Sequence, residues 1–164
     1  MNNIKLKFDN DGFIVNENLI NQNDLEAIEK WISELNDSKE VNHHYEKTVN
    51  GKVLSRTENF VSSHTSFREF LLSSSIKDYL TMLFDDEPIL FKEKINYKYP
   101  GGAGYAPHQD APAYPFGKKH ITMLLAIDDS DISNGCLEFA RGRNNEGIIN
   151  IDDKGCIDLS LIHI

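Results

Sequence analysis

No stretch of this chain comes near the roughly 18 consecutive apolar residues that a membrane-spanning helix needs, so no transmembrane segment is expected. The first residues, Met1-Asn-Asn-Ile-Lys-Leu-Lys-Phe8, lack the basic segment, apolar core and small-residue cleavage site of a secretory signal. The cytoplasm is therefore the expected location. Positive charge is in short supply: 17 Lys and Arg face 26 Asp and Glu, for a net charge of −9. Binding along a phosphate backbone needs clustered Lys and Arg, so nucleic acid is not an expected partner. Cysteine is scarce too, with only Cys136 and Cys156, and no Cys-x-x-Cys spacing points to zinc. Reduced thiols are the expectation, with a disulfide between the two left open. Neither an internal repeat nor a low-complexity tract is present.

The 164 residues amount to one domain. Apolar residues at Leu25, Ile28, Ile32 and Leu35 recur at helical spacing behind Asn23 and Glu26, which predicts a helix over 24–36. Phe67, Phe70 and Leu71 after Thr65-Ser66, and Ile76, Tyr79, Leu80 and Leu83 after Ser75, predict two more short helices with hydroxyl residues as caps. Between them Asn36 to His44 is polar and reads as a loop. Residues 1–85 are thus expected to be mainly helical. Asp85-Asp86-Glu87-Pro88 ends that pattern, and 89–99 then alternates as a long strand, followed by strand candidates at 105–110, 119–127, 135–140, 147–151 and 157–164. Helices first and strands afterwards give an α+β class, with 86–164 most simply forming a jelly roll.

The chemistry-bearing motif is Tyr105-Ala-Pro-His108-Gln109-Asp110, entered through Pro100-Gly-Gly-Ala-Gly104. On a strand, positions i and i+2 share a face, so His108 and Asp110 can offer one neutral nitrogen and one carboxylate oxygen to a single ion. Two His and one carboxylate on one face of an octahedral metal make the facial triad of non-haem Fe(II) oxygenases. The second His is what the sequence does not clearly supply. His43 and His44 are adjacent, so their rings diverge, and His64 and His120 read as structural or exposed.

Leu90 through Tyr114, containing His108-Gln109-Asp110, together with Asp128-Asp129 and Asn134-Gly-Cys-Leu-Glu138, resembles the phytanoyl-CoA dioxygenase family of Fe(II)/2-oxoglutarate oxygenases. The resemblance runs from about 50 to 158. It implies a double-stranded β-helix core (a cupin-like jelly roll), with His108 and Asp110 as iron ligands and 2-oxoglutarate as co-substrate. It also implies O2 consumption, succinate and CO2 as products, and hydroxylation of a small molecule. Asn96 matches a 2-oxoglutarate position of some members and Gln109 one of others, although strand alternation turns Gln109 away from its neighbours. Lys94, on the same face as Asn96, would look toward the substrate. The plainer reading makes Lys94 and Asn96 the solvent face of an edge strand.

The family places its distal His, and an Arg that grips the far carboxylate of 2-oxoglutarate, beyond the point where this chain stops, 54 residues after Asp110. The sequence is thus expected to be a truncated form with an incomplete jelly roll. His163 is the one histidine after His120, and no Arg follows it. Such a core exposes strand edges that invite self-association. A non-catalytic remnant, or a metal-binding jelly-roll module without oxygenase activity, is the alternative.

Overall fold

The computed structural model describes residues 3–49, 51–102, 104–114, 119–152 and 156–157. Its described elements are four α-helices, a three-stranded antiparallel sheet and two single 3-10 turns, so the class is α+β. They divide into two compact units, Glu17–Ala103, and Met1–Asn16 with Gly104–Ile164.

In the unit 17–103, helix α2 (Gln22–Asn36), which follows helix α1 (Asn3–Asp11) in the chain, carries the apolar stripe its spacing predicts, with Ile28 and Leu35 buried. Its cap lies two residues before the expected one. Asn21 accepts a hydrogen bond from the Asp24 amide and Asp24 returns one from the Asn21 amide, both 3.1 Å, a reciprocal capping box. Helix α3 (Thr65–Leu71) is capped by His64, not by the hydroxyl residue the sequence suggests: His64 Nδ1 accepts from the Phe67 amide at 3.1 Å. The His64 Nε2 lies 3.0 Å from Glu34, which makes this histidine a structural joint between α2 and α3. Trp31 stacks at tilted angles on Phe67 and Phe70, and Phe60 on Phe67, closing an aromatic cluster. Helix α4 (Ser74–Phe84) buries Ile76 and Leu83 and stops where Asp85 turns left-handed.

The expected loop at His43-His44 is instead strand β1 (Asn42–Thr48), hairpin-paired with β2 (Gly51–Glu58). Polar residues hid it, because one sheet face is itself polar. Strand β3 (Lys94–Asn96) pairs with Arg56–Glu58 and is far shorter than the expected 89–99, with one further backbone bond, from the Tyr97 amide to the Ser55 carbonyl, beyond it. Thr57 is completely buried, and its hydroxyl meets His43 Nδ1 at 3.0 Å and the Tyr97 hydroxyl at 3.2 Å. Tyr97 in turn donates to Asn36 at the end of α2, 3.3 Å away. As the adjacency requires, the other ring, His44, faces the opposite side.

In the unit of 1–16 and 104–164, helix α1 (Asn3–Asp11) was not expected from the sequence. Gly12 ends it at φ +81°, and a Cβ there would sit 2.8 Å from Asn144 Oδ1. Asp11 pairs with Arg141, Phe13 stacks on Phe139 at 4.9 Å, and Asn144 donates to the Asp9 carbonyl. The stretches 105–110, 119–127, 135–140 and 147–151 are not strands. Among the described residues, pairing after Asn96 is confined to one antiparallel bridge, Ile151 with Ile157. Residues 121–128 do alternate between half-buried and exposed. Alternation reports which side faces in, whereas a strand also needs a partner edge for its amides, and none is bonded there. The predicted strand 157–164 lies, beyond Ile157, outside the described residues.

Glu58 is buried on β2, with its side chain 11% exposed, beside Lys92 Nζ and Arg56 Nε at 3.0 Å and His44 Nε2 at 3.3 Å. Burial pushes its carboxyl up, but Lys92, Arg56 and His44 together outweigh that and hold it below the ordinary carboxylate value. A carboxylate lowered in the folded state stabilises above its unfolded pKa, and that contribution is lost as pH falls through the folded pKa. Glu58→Gln is expected to lower the urea midpoint at pH 7, and the gap to wild type to close as the pH drops below the ordinary glutamate range. A gap that persists unchanged in acid would refute the electrostatic account.

Candidate metal centre

His108 and Asp110 converge, though not by the strand alternation the sequence suggests. The backbone at 107–110 is a bend, and Asp110 adopts helical angles (φ −72°, ψ −32°) at the head of the 3-10 turn Ala111–Ala113. The turn brings His108 Nε2 to 3.5 Å from Asp110 Oδ1, with both side chains about half exposed. Two cis donors on one octahedral cation with bonds near 2.1 Å lie about 3 Å apart, so this pair needs little adjustment to share an ion.

Local hydrogen bonds set the chemistry of each donor. His108 Nδ1 lies 2.7 Å from the Ala106 carbonyl, which can only accept. Nδ1 therefore carries a proton, which leaves Nε2, on the Asp110 side, as the nitrogen a metal would take. A metal-binding imidazole is commonly oriented this way, with its far N–H on a backbone carbonyl. Asp110 divides its oxygens: Oδ2 accepts from the Thr122 hydroxyl at 2.9 Å while Oδ1 faces His108. Thr122 carries no motif, and its role emerges only when residues 12 apart in the chain are placed together.

Gln109 turns away from the pair. Its amide donates to the Gly147 carbonyl at 3.0 Å and accepts from the Ile149 amide at 2.8 Å, so it acts as a surrogate strand partner for 147–149. Nearby, the Ile157 amide donates to the Pro107 carbonyl and buries Ile157 beside the motif. Lys94 and Asn96 belong to the other unit, both exposed on β3. Among the described residues no group of three or more His, Cys, Asp or Glu side chains gathers to hold a metal. His163 lies outside the described residues.

Residues 8–152 match the family model of phytanoyl-CoA dioxygenase, PhyH. The chain belongs to this family. It is 39% identical over 151 residues to a methylphosphonate hydroxylase of Gimesia maris, a match that covers 90% of this chain and 58% of that protein. It is 36% identical over 161 residues to a 2-aminoethylphosphonate dioxygenase of an uncultured bacterium, covering 93% of this chain and 62% of the relative. A dioxygenase of Epichloe uncinata, lolE1, is 33% identical over 131 residues, covering 76% and 51%. The chain thus spans between half and two thirds of the length of these relatives. No solved structure matches it. No helix among the described residues is long and apolar enough to cross a membrane.

The donor set fits two of the three positions of an iron site, and Thr122 is placed to orient one of them. His108→Ala and Asp110→Ala are each expected to abolish Fe(II) binding under anaerobic titration. Thr122→Val is expected to weaken it about tenfold or more, as loss of an outer partner does, and Thr122→Ser to restore it. Equal affinity in Thr122→Val would show the hydroxyl to be incidental.

Proposed function

We propose that this chain carries the metal-binding half of an Fe(II)/2-oxoglutarate-dependent oxygenase that hydroxylates a small organophosphonate. The observation that carries the reading is the His108–Asp110 pair, its imidazole tautomer set for metal and its carboxylate braced by Thr122. Two relatives named for phosphonates support the substrate class. When bound, the ferrous ion and 2-oxoglutarate supply the oxidative chemistry: O2, 2-oxoglutarate and substrate become CO2, succinate and the hydroxylated product.

The chain's own residues bind and orient. His108 Nε2 and Asp110 Oδ1 hold the ion, and Thr122 keeps Oδ2 occupied so that Asp110 offers a single oxygen. The third position falls to a group outside the described residues, where His163 is the only histidine of this chain. Asn96 donates to the co-substrate and Lys94 faces the substrate anion. Gln109 reaches a co-substrate only by exchanging its bonds to Gly147 and Ile149, which makes it the least prepared of the set. The double-stranded β-helix is the proposed frame. The reading includes action in the cytoplasm.

A second reading, a module that binds metal or ligand without turnover, draws on the absence of a three-ligand cluster among the described residues. With Fe(II), 2-oxoglutarate, O2 and methylphosphonate or 2-aminoethylphosphonate, succinate and a new phosphorus resonance are expected, both lost in His108→Ala. Iron bound with neither product formed establishes the second reading instead.

A further inference from the structure

The backbone on either side of His108 is gripped by one piece of chain. Before it, the Pro107 carbonyl accepts from the Ile157 amide at 2.8 Å. After it, the Gln109 side chain is held at both ends of its amide, donating to the Gly147 carbonyl at 3.0 Å and accepting from the Ile149 amide at 2.8 Å. Residues 147–151 and Ile157 belong together, because Ile151 bridges Ile157 and the Asp152 amide donates to the Cys156 carbonyl at 2.8 Å. Ile157 is itself buried, an apolar anchor for that piece.

Gln109 is half-buried, whereas His108 and Asp110 beside it are exposed. The Gly147 carbonyl and the Ile149 amide flank Ile148 and are the two groups a neighbouring strand would engage. Gln109 takes both, so withdrawing its amide strands two backbone groups at once, which is costly wherever water is partly excluded. The other bonds of the motif do less for the backbone. Ala106 turns the His108 ring and Thr122 holds one Asp110 oxygen, but the 3.5 Å approach of His108 Nε2 to Asp110 Oδ1 also needs the bend at 107–110 to stay in place. Donors already brought together spare an incoming ion the cost of ordering them.

We propose that Gln109 is a positioning residue for the metal: its amide clamps the 107–110 bend to 147–149 and so presets the separation of His108 Nε2 and Asp110 Oδ1. The inference rests on the oxygenase reading above. It gives Gln109 a task other than the co-substrate contact that the family resemblance implies, and one that its two hydrogen bonds already perform.

The test uses the whole chain. Without iron, amide hydrogen exchange is expected to show Ile149 protected in wild type and released in Gln109→Met, a side chain of similar length that cannot replace either bond. Anaerobic Fe(II) titration without denaturant is expected to show about tenfold weaker binding by Gln109→Met, the size of effect that loss of an outer partner has on a metal site. In the Co(II)-loaded chain, the shifted proton resonances of the His108 ring are expected to move or broaden in the variant. Gln109→Asn, one methylene too short to span both partners, is expected to behave alike and carries the test if Gln109→Met does not fold. A purely structural role would lower the urea midpoint and leave Fe(II) affinity and the Co(II) resonances unchanged, and that result overturns the proposal. So does an Ile149 amide that exchanges freely in wild type. Wild type that binds no Fe(II) sinks the oxygenase reading together with this inference, whereas equal binding by wild type and variants sinks the inference alone.

Discussion

Strand β2 has both edges paired over Arg56–Glu58, and that double commitment organises residues 17–103. With β1 bonded on one side and β3 on the other, every side chain of this segment is sent to one face or the other with no freedom to rotate away. Thr57 goes inward, where a hydroxyl deprived of water must find protein partners. It finds His43 and Tyr97, and Tyr97 extends the chain of hydrogen bonds to Asn36. The sheet is thereby tied to the C-terminal end of α2 by polar contacts, while the aromatic cluster around Trp31 ties α2 to α3. Arg56 and Glu58 go to the opposite face by the same necessity, and the charged face follows from the position of Thr57.

The His108–Asp110 pair in the other unit is built on a different principle. There the backbone bends instead of pairing, and orientation comes from side-chain hydrogen bonds: His108 on Ala106, Asp110 on Thr122, and Gln109 across to 147–149. Such a site needs no sheet to preset its donors. Both side chains nevertheless stand about half in solvent.

Much of the helical part was legible in the sequence, because 3.6-residue spacing of apolar groups at Ile28 and Leu35, Phe67 and Phe70, or Ile76 and Leu83 leaves few alternatives. The caps were less so. Asn21 displaced Asn23 because Asp24 can return its bond, and His64 capped α3 with a ring nitrogen that propensity rules assign to hydroxyls. The hairpin at 42–58 was missed since His43, His44, Glu46 and Lys47 look like loop composition, and only pairing shows that half of them serve a polar sheet face. The strands after residue 99 were overread for the converse reason: alternation gives a direction to each side chain and says nothing about whether a neighbouring edge exists.

By itself the chain's order of residues determined the lineage: His108-Gln109-Asp110 after a glycine turn, followed by Asn134-Gly-Cys-Leu, marks the family that the comparison of residues 8–152 bears out. The tertiary structure alone decided who joins them. Thr122 reaches Asp110 and Lys92 reaches Glu58 across intervals that no local pattern encodes. Contacts of that range depend on turns and pairings made elsewhere in the chain, and their energy exists only once those are closed.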